Sequence, residues 1–238
     1  MNMSKRQNKS LSKESKSKPS KNKTALQKWF RDWKTEIHEY KYLILISIAC
    51  LILSAIICIF TSSYVDRIQV VAVPDLILDN IPVINLNIIF SYSFVILLTL
   101  LTIYTVFFRV KEFHKAALLF SLLVLTRSIF ITLTHLGAPQ EALLGGNAPG
   151  LYQLFNFRND LFFSGHAAMP FMAFLIFRKE WIGKIFLILT VILSATVLLM
   201  HVHYSIAVFS AFFITYGVYR FGEWLMNKEF WHKARVRQ

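Results

Sequence analysis

The sequence predicts an all-α, polytopic membrane protein with six transmembrane helices and both termini cytoplasmic. Three observations carry that expectation. Hydrophobic residues make up 55% of the chain against 16% charged, a balance that water alone would not keep folded. Six apolar runs, about 42–62, 86–108, 116–135, 161–177, 182–200 and 204–222, approach the ~20 residues a helix needs to cross a bilayer. Of the 26 Lys and Arg residues, 23 lie in the N-terminal segment, the 109–115 and 178–184 loops and the C-terminal end. Alternate connections and both ends therefore carry the positive charge, which the positive-inside rule puts in the cytoplasm. The net charge of +13 is thus a membrane-side signal, and no nucleic acid is expected as a partner.

Residues 1–24 are Lys- and Ser-rich without apolar periodicity and read as a disordered basic tail near anionic headgroups. In 25–40, Leu26, Trp29, Phe30, Trp33 and Ile37 recur at helical spacing with charges between them, the pattern of an amphipathic helix lying in the interface. A juxtamembrane extension of the first span fits the same spacing. Residues 41–225 then form the six-helix membrane domain, and 226–238 a basic cytoplasmic tail. Cys50 and Cys58 lie eight apart on one helix, about 12 Å, too far for a disulfide. Packing is their expected role.

Ionisable residues inside apolar spans are costly, so they are where chemistry is sought. His166 lies about six residues, roughly 9 Å, into the fourth span from its outer end. The fifth span ends at that same face and runs into His201, Val202 and His203. Two histidines distant in sequence therefore arrive at one membrane face at similar depth, with Asp160 and Ser164 beside the first. A zinc site built from His166, His201 and His203 fits poorly, because i and i+2 point about 200° apart on a helix. Two histidines near a cation suit phosphoryl chemistry, one attacking phosphorus and the other protonating the departing oxygen. Arg127, within the third span, offers a bidentate fork for phosphate; an interhelical salt bridge is its plainer alternative.

These residues resemble the sphingomyelin synthase family, within the lipid phosphate phosphatase superfamily. Four segments carry the resemblance: 74-PDLILD-79, 127-RSIFITLTHLGAP-139, Asp160 with Ser164, Gly165 and His166 as Asp-x3-Ser-Gly-His, and 203-HYSIA-207 as His-Tyr-Ser/Thr-x-Asp. It extends over about residues 40–225. Three departures stand out: Arg158 and Asn159 replace the family's Cys-Gly, Ala167 replaces a Thr, and Ala207 sits where the family has Asp.

The resemblance implies that His203 is the nucleophile, forming a phosphohistidine, and that His166 is general acid and then general base. Arg127 would hold the phosphate, with Ser164, Tyr204, Asp75 and Asp160 lining the substrate site; helix capping is the alternative for both aspartates. The donor would be a glycerophospholipid and the acceptor a ceramide-like lipid alcohol, met at the non-cytoplasmic leaflet. No metal or other cofactor is implied, and homo-oligomerisation is left open. A lipid phosphatase or phospholipase C-type hydrolase shares the same residues, and a non-catalytic lipid-binding homologue is the alternative that Ala207 favours. The family Asp would stand one turn beyond His203 and orient its imidazole. Losing such a carboxylate costs a serine-protease triad about 10⁴ in kcat, so the Ala207 form, whether native or substituted to trap substrate, is expected to be nearly inactive.

Overall fold

The computed structural model describes residues 21–139, 141–143 and 161–227. The expectations for Asp160, for most of the basic tail 1–24 and for nearly all of 226–238 lie outside those residues. Six α-helices follow in order: α1 (Lys21–Asp66), α2 (Asn87–Ile103), α3 (Val110–Leu133), α4 (Gly165–Phe177), α5 (Trp181–Leu199) and α6 (Ser205–Asn227). A π-helical turn, Tyr104–Phe108, prolongs α2, and a 3-10 turn, Leu78–Asn80, interrupts the α1–α2 connection. No strand occurs among the described residues.

The chain divides into two compact units, Met1–Glu39 and Tyr40–Gln238. The described part of the first is the start of α1. There Trp29 and Phe30 both stack on Trp33, with ring centroids 6.3 and 5.7 Å apart, and Lys34 lies over the Phe30 ring. The spacing that reads as an amphipathic helix does form a helix, and α1 is continuous from Lys21 to Asp66.

In the second unit, α4 is the shortest helix and sits at the centre of the packing, against α5, α6, α3 and α2. Its sequence explains this. Ala167, Ala168, Met172 and Ala173 are fully buried, and small side chains allow helix backbones to approach where lipid gives no hydrophobic drive. The turn into α5 needs Gly183, since a Cβ there would clash with the Phe177 carbonyl oxygen. By contrast, α2, α3, α5 and α6 turn residues such as Ile88, Leu133, Val191 and Phe213 outward, all well exposed. Apolar side chains on the outside of a helical bundle are lipid-facing surface, and this chain is a multi-pass membrane protein.

The fourth expected span requires correction. Residues 161–164 are not helical, and α4 begins only at Gly165 and has 13 residues. That gives it about 20 Å of length, short of the ~30 Å hydrocarbon core. Among the described residues five helices, not six, are long and apolar enough to cross a membrane. The reason is local: Ser164 and Gly165 stand at the helix start, and the apolar residues before them turn into the bundle as a loop.

The two ends of the bundle differ. At one, Arg109 pairs with Glu180 at 3.0 Å and Lys115 with Glu223 at 3.1 Å, and Tyr104 donates a hydrogen bond to Glu180. These pairs tie the start of α3 to the α4–α5 turn and to the end of α6. At the other end, three connections are stitched together by backbone bonds: Gly137 to Val71, Leu143 to Met200 and Ile84 to Leu199. The histidines lie at this second end.

Candidate active site

His203 occupies the short link between α5 and α6. Backbone bonds from Met200 to Thr196, His201 to Leu198 and Val202 to Val197 close the end of α5, with His201 held at φ 55. The chain then enters α6 at Ser205, leaving His203 just ahead of the helix and buried. Its Nδ1–H donates to the Leu161 carbonyl at 3.1 Å. A carbonyl can only accept, so the ring carries its proton on Nδ1.

The second histidine comes from the first turn of α4. His166 and His203 have ring centroids 6.4 Å apart, a gap in which a phosphorus centre could lie within about 3 Å of a nitrogen on each side. Phe90 and Phe94, one turn apart on α2, flank the His166 ring at 4.2 and 5.0 Å. The loop before α4 is fixed to α6 by the Ser164 N–H donating to the Ala207 carbonyl at 3.2 Å. Within it Phe163 adopts φ 74, a left-handed conformation that costs a side-chain-bearing residue about 1–3 kcal/mol unless its surroundings hold it.

Arg127 reaches the same place from α3. A Cβ built on Gly165 would lie 3.5 Å from the Arg127 Nε, and the guanidinium donates to Cys58 Sγ at 3.5 Å. The fork therefore stands beside the first residue of α4. A helix N-terminus already favours an anion through its unpaired N–H groups and dipole. Ser164, in the N-cap position, makes no side-chain cap bond, and its buried Oγ has no hydrogen-bond partner among the described residues. Such a hydroxyl is costly unless a ligand oxygen completes it. Arginine, helix start, hydroxyl and two imidazoles together offer the kinds of donor that a phosphate group would need.

Two residues expected to contact substrate are engaged otherwise. The Asp75 carboxylate accepts the N–H groups of Ile77 at 2.9 Å, Leu78 at 3.2 Å and Ser205 at 2.7 Å. Burial raises its pKa, but the N–H bonds from Leu78, Ser205 and Ile77 outweigh that and hold it below the usual carboxylate value. Asp75 thus caps the start of α6 and orders the Leu78–Asn80 turn. Tyr204 is buried, with its hydroxyl donating to the Gly137 carbonyl at 2.8 Å and accepting the Val73 N–H at 3.1 Å. It braces two loops, and both hydroxyl functions are used. Ala207 is fully buried, in one apolar cluster with Leu78, Leu161 and Tyr204.

His201 lines a cavity of about 480 Å³ with Asp75, Asp79, Glu141 and Tyr204, and neither His166 nor His203 is among its lining residues. Among the described residues no three His, Cys, Asp or Glu side chains converge as metal ligands. Sequence reasoning did not find the Leu161 carbonyl, Phe90, Phe94 or Cys58. Spacing gave a signal only for the phenylalanines, which stand four apart on one face of α2.

Residues 159–224 match the family described as PAP2 superfamily C-terminal. The matched segment contains α4 and α5, most of α6, and both histidines. It supports a place in the lipid phosphate phosphatase superfamily, with a lipid phosphatase or phosphotransferase type of function. It does not reach Arg127 or the 74–79 segment. No curated protein matches the chain.

Proposed function

We propose that this chain is a membrane-embedded lipid phosphotransferase that moves a phospho-headgroup from a glycerophospholipid to a ceramide-like alcohol. The observation that carries the reading is the pair of imidazoles 6.4 Å apart, with Arg127 beside the α4 start. With the proton on Nδ1, the Nε2 lone pair of His203 attacks phosphorus. An N–P bond forms and the bond from phosphorus to the glycerol oxygen breaks. His166 gives its proton to that oxygen, so diacylglycerol leaves neutral. His166, now a base, takes the proton of the acceptor hydroxyl. The acceptor oxygen attacks phosphorus, the N–P bond breaks and His203 is restored. Arg127 and the Ser164 hydroxyl bind the non-bridging oxygens, whose charge they balance throughout.

The charge distribution supports placing both termini in the cytoplasm, with the histidine end at the non-cytoplasmic leaflet and the basic tail on the anionic inner surface. In this topology α4 enters the bundle from the outer side as a sixth, shorter membrane segment.

The match to the PAP2 superfamily also favours a second reading, in which water takes the acceptor's place. One experiment separates the two. The full chain in lipid nanodiscs is given headgroup-labelled phosphatidylcholine, phosphatidylethanolamine or phosphatidic acid, with and without ceramide. Label on ceramide identifies a transferase. Release of free phosphate or phosphoalcohol regardless of ceramide identifies a hydrolase, and neither product leaves a non-catalytic lipid binder.

A further inference from the structure

We infer that the backbone carbonyl of Leu161 replaces the absent carboxylate at position 207 as the group that holds His203 in its nucleophilic tautomer. The inference rests on His203 being the nucleophile and runs against the expectation that Ala207 leaves the site inert.

The large loss on removing an orienting carboxylate arises because the imidazole adopts the wrong tautomer. Here the 3.1 Å bond from His203 Nδ1–H to the Leu161 oxygen gives the productive tautomer a main-chain acceptor. The segment that carries the carbonyl is fixed in the bundle. Leu161 and Phe163 are buried, the Phe163 ring stacks 6.4 Å from Phe130, and the Ser164 N–H binds the Ala207 carbonyl. The left-handed backbone at Phe163 is the local distortion that accompanies this path. Position 207 is complementary, because its buried methyl group belongs to the same small apolar cluster as Leu161. A carbonyl is uncharged, however. Attack on phosphorus leaves the phosphorylated ring cationic with its proton on Nδ1, and a neutral acceptor stabilises that cation less than a carboxylate would. Leu161 is therefore a positioning residue acting through its main chain, suited to a competent but slower nucleophile.

The test uses the full chain in nanodiscs. In ¹⁵N-histidine-labelled protein, the His203 signals, identified by their loss in His203→Asn, are expected to show a protonated Nδ1 and a bare Nε2. A protonated Nε2 overturns the inference. In a second arm, Phe162 is replaced by its α-hydroxy acid, which turns the Leu161 carbonyl into a weaker-accepting ester and keeps every side chain. The kcat is expected to fall about five- to tenfold with KM unchanged, and to regain at least half the loss when Ala207→Asp is added to the ester chain. An ester chain with undiminished kcat overturns the inference as well. Absence of turnover on every donor sinks the phosphotransfer reading instead, and the ¹⁵N tautomer then decides the orientation of His203 by itself.

Discussion

The Phe90 ring lies 4.2 Å from the His166 imidazole, inclined by 28°. A stacked aromatic contact of this kind is worth about 0.5–1.5 kcal/mol beyond the area it buries, and here it steadies the residue proposed to deliver a proton. Phe90→Leu is expected to lower kcat about three- to tenfold with KM little changed, and Phe90→Tyr to retain most of the activity. Steady-state kinetics on a phospholipid donor check this. A rise in KM at constant kcat would show that Phe90 contacts lipid rather than positioning His166.

Arg127 stands beside Gly165 with its guanidinium bonded to Cys58. Removing a donor that balances transition-state charge costs on the order of 10²–10³ in rate, and Arg127→Gln is expected to fall in that range. Arg127→Lys is expected to recover only part of it, because an ammonium lacks the planar fork. If the glutamine variant turns over normally and only its melting temperature drops, Arg127 is a structural tie between α3 and α1.

Asp75 makes a pH prediction whose sign follows from its lowered pKa. A carboxylate depressed in the folded state adds stability that is fully present above its unfolded value. That stability is lost as pH falls through the lower folded value. Wild type is therefore expected to be more stable than Asp75→Asn at neutral pH, by about 1–3 kcal/mol for the weakened N–H bonds. The gap should narrow as pH drops below the ordinary aspartate value of 3.8. Thermal unfolding of both proteins across that range measures it, and a gap that widens in acid would contradict the capping role.

What the sequence disclosed was chemistry borne by side chains. His166 and His203 announced themselves as ionisable groups in apolar runs, and their arrival at one end of the bundle followed from counting spans. Residues 161–164 misled, because Leu161, Phe162 and Phe163 are as apolar as any helix yet form the loop that carries a backbone acceptor. A main-chain carbonyl leaves no trace in residue type. Phe90 and Phe94 went unnoticed, because a four-residue spacing within an apolar run does not show that the face meets an imidazole. Asp75 and Tyr204 came from the motif resemblance as substrate-lining residues, with capping as the alternative for Asp75; their polar groups meet the N–H and carbonyl groups of the loops at Val73, Gly137 and Ser205, and that bonding depends on a fold the motif does not spell out.

The central claim is that His203 carries the phosphoryl group between donor and acceptor. It is tested most directly by mixing the full chain with headgroup-labelled phospholipid, quenching in base, where phosphohistidine survives, and locating the label. The account predicts acid-labile label on His203, absent in His203→Asn and formed at least about 10²-fold more slowly in His166→Asn, which lacks the general acid. Lipid turnover with no phosphohistidine, or label that persists in His203→Asn, would contradict it.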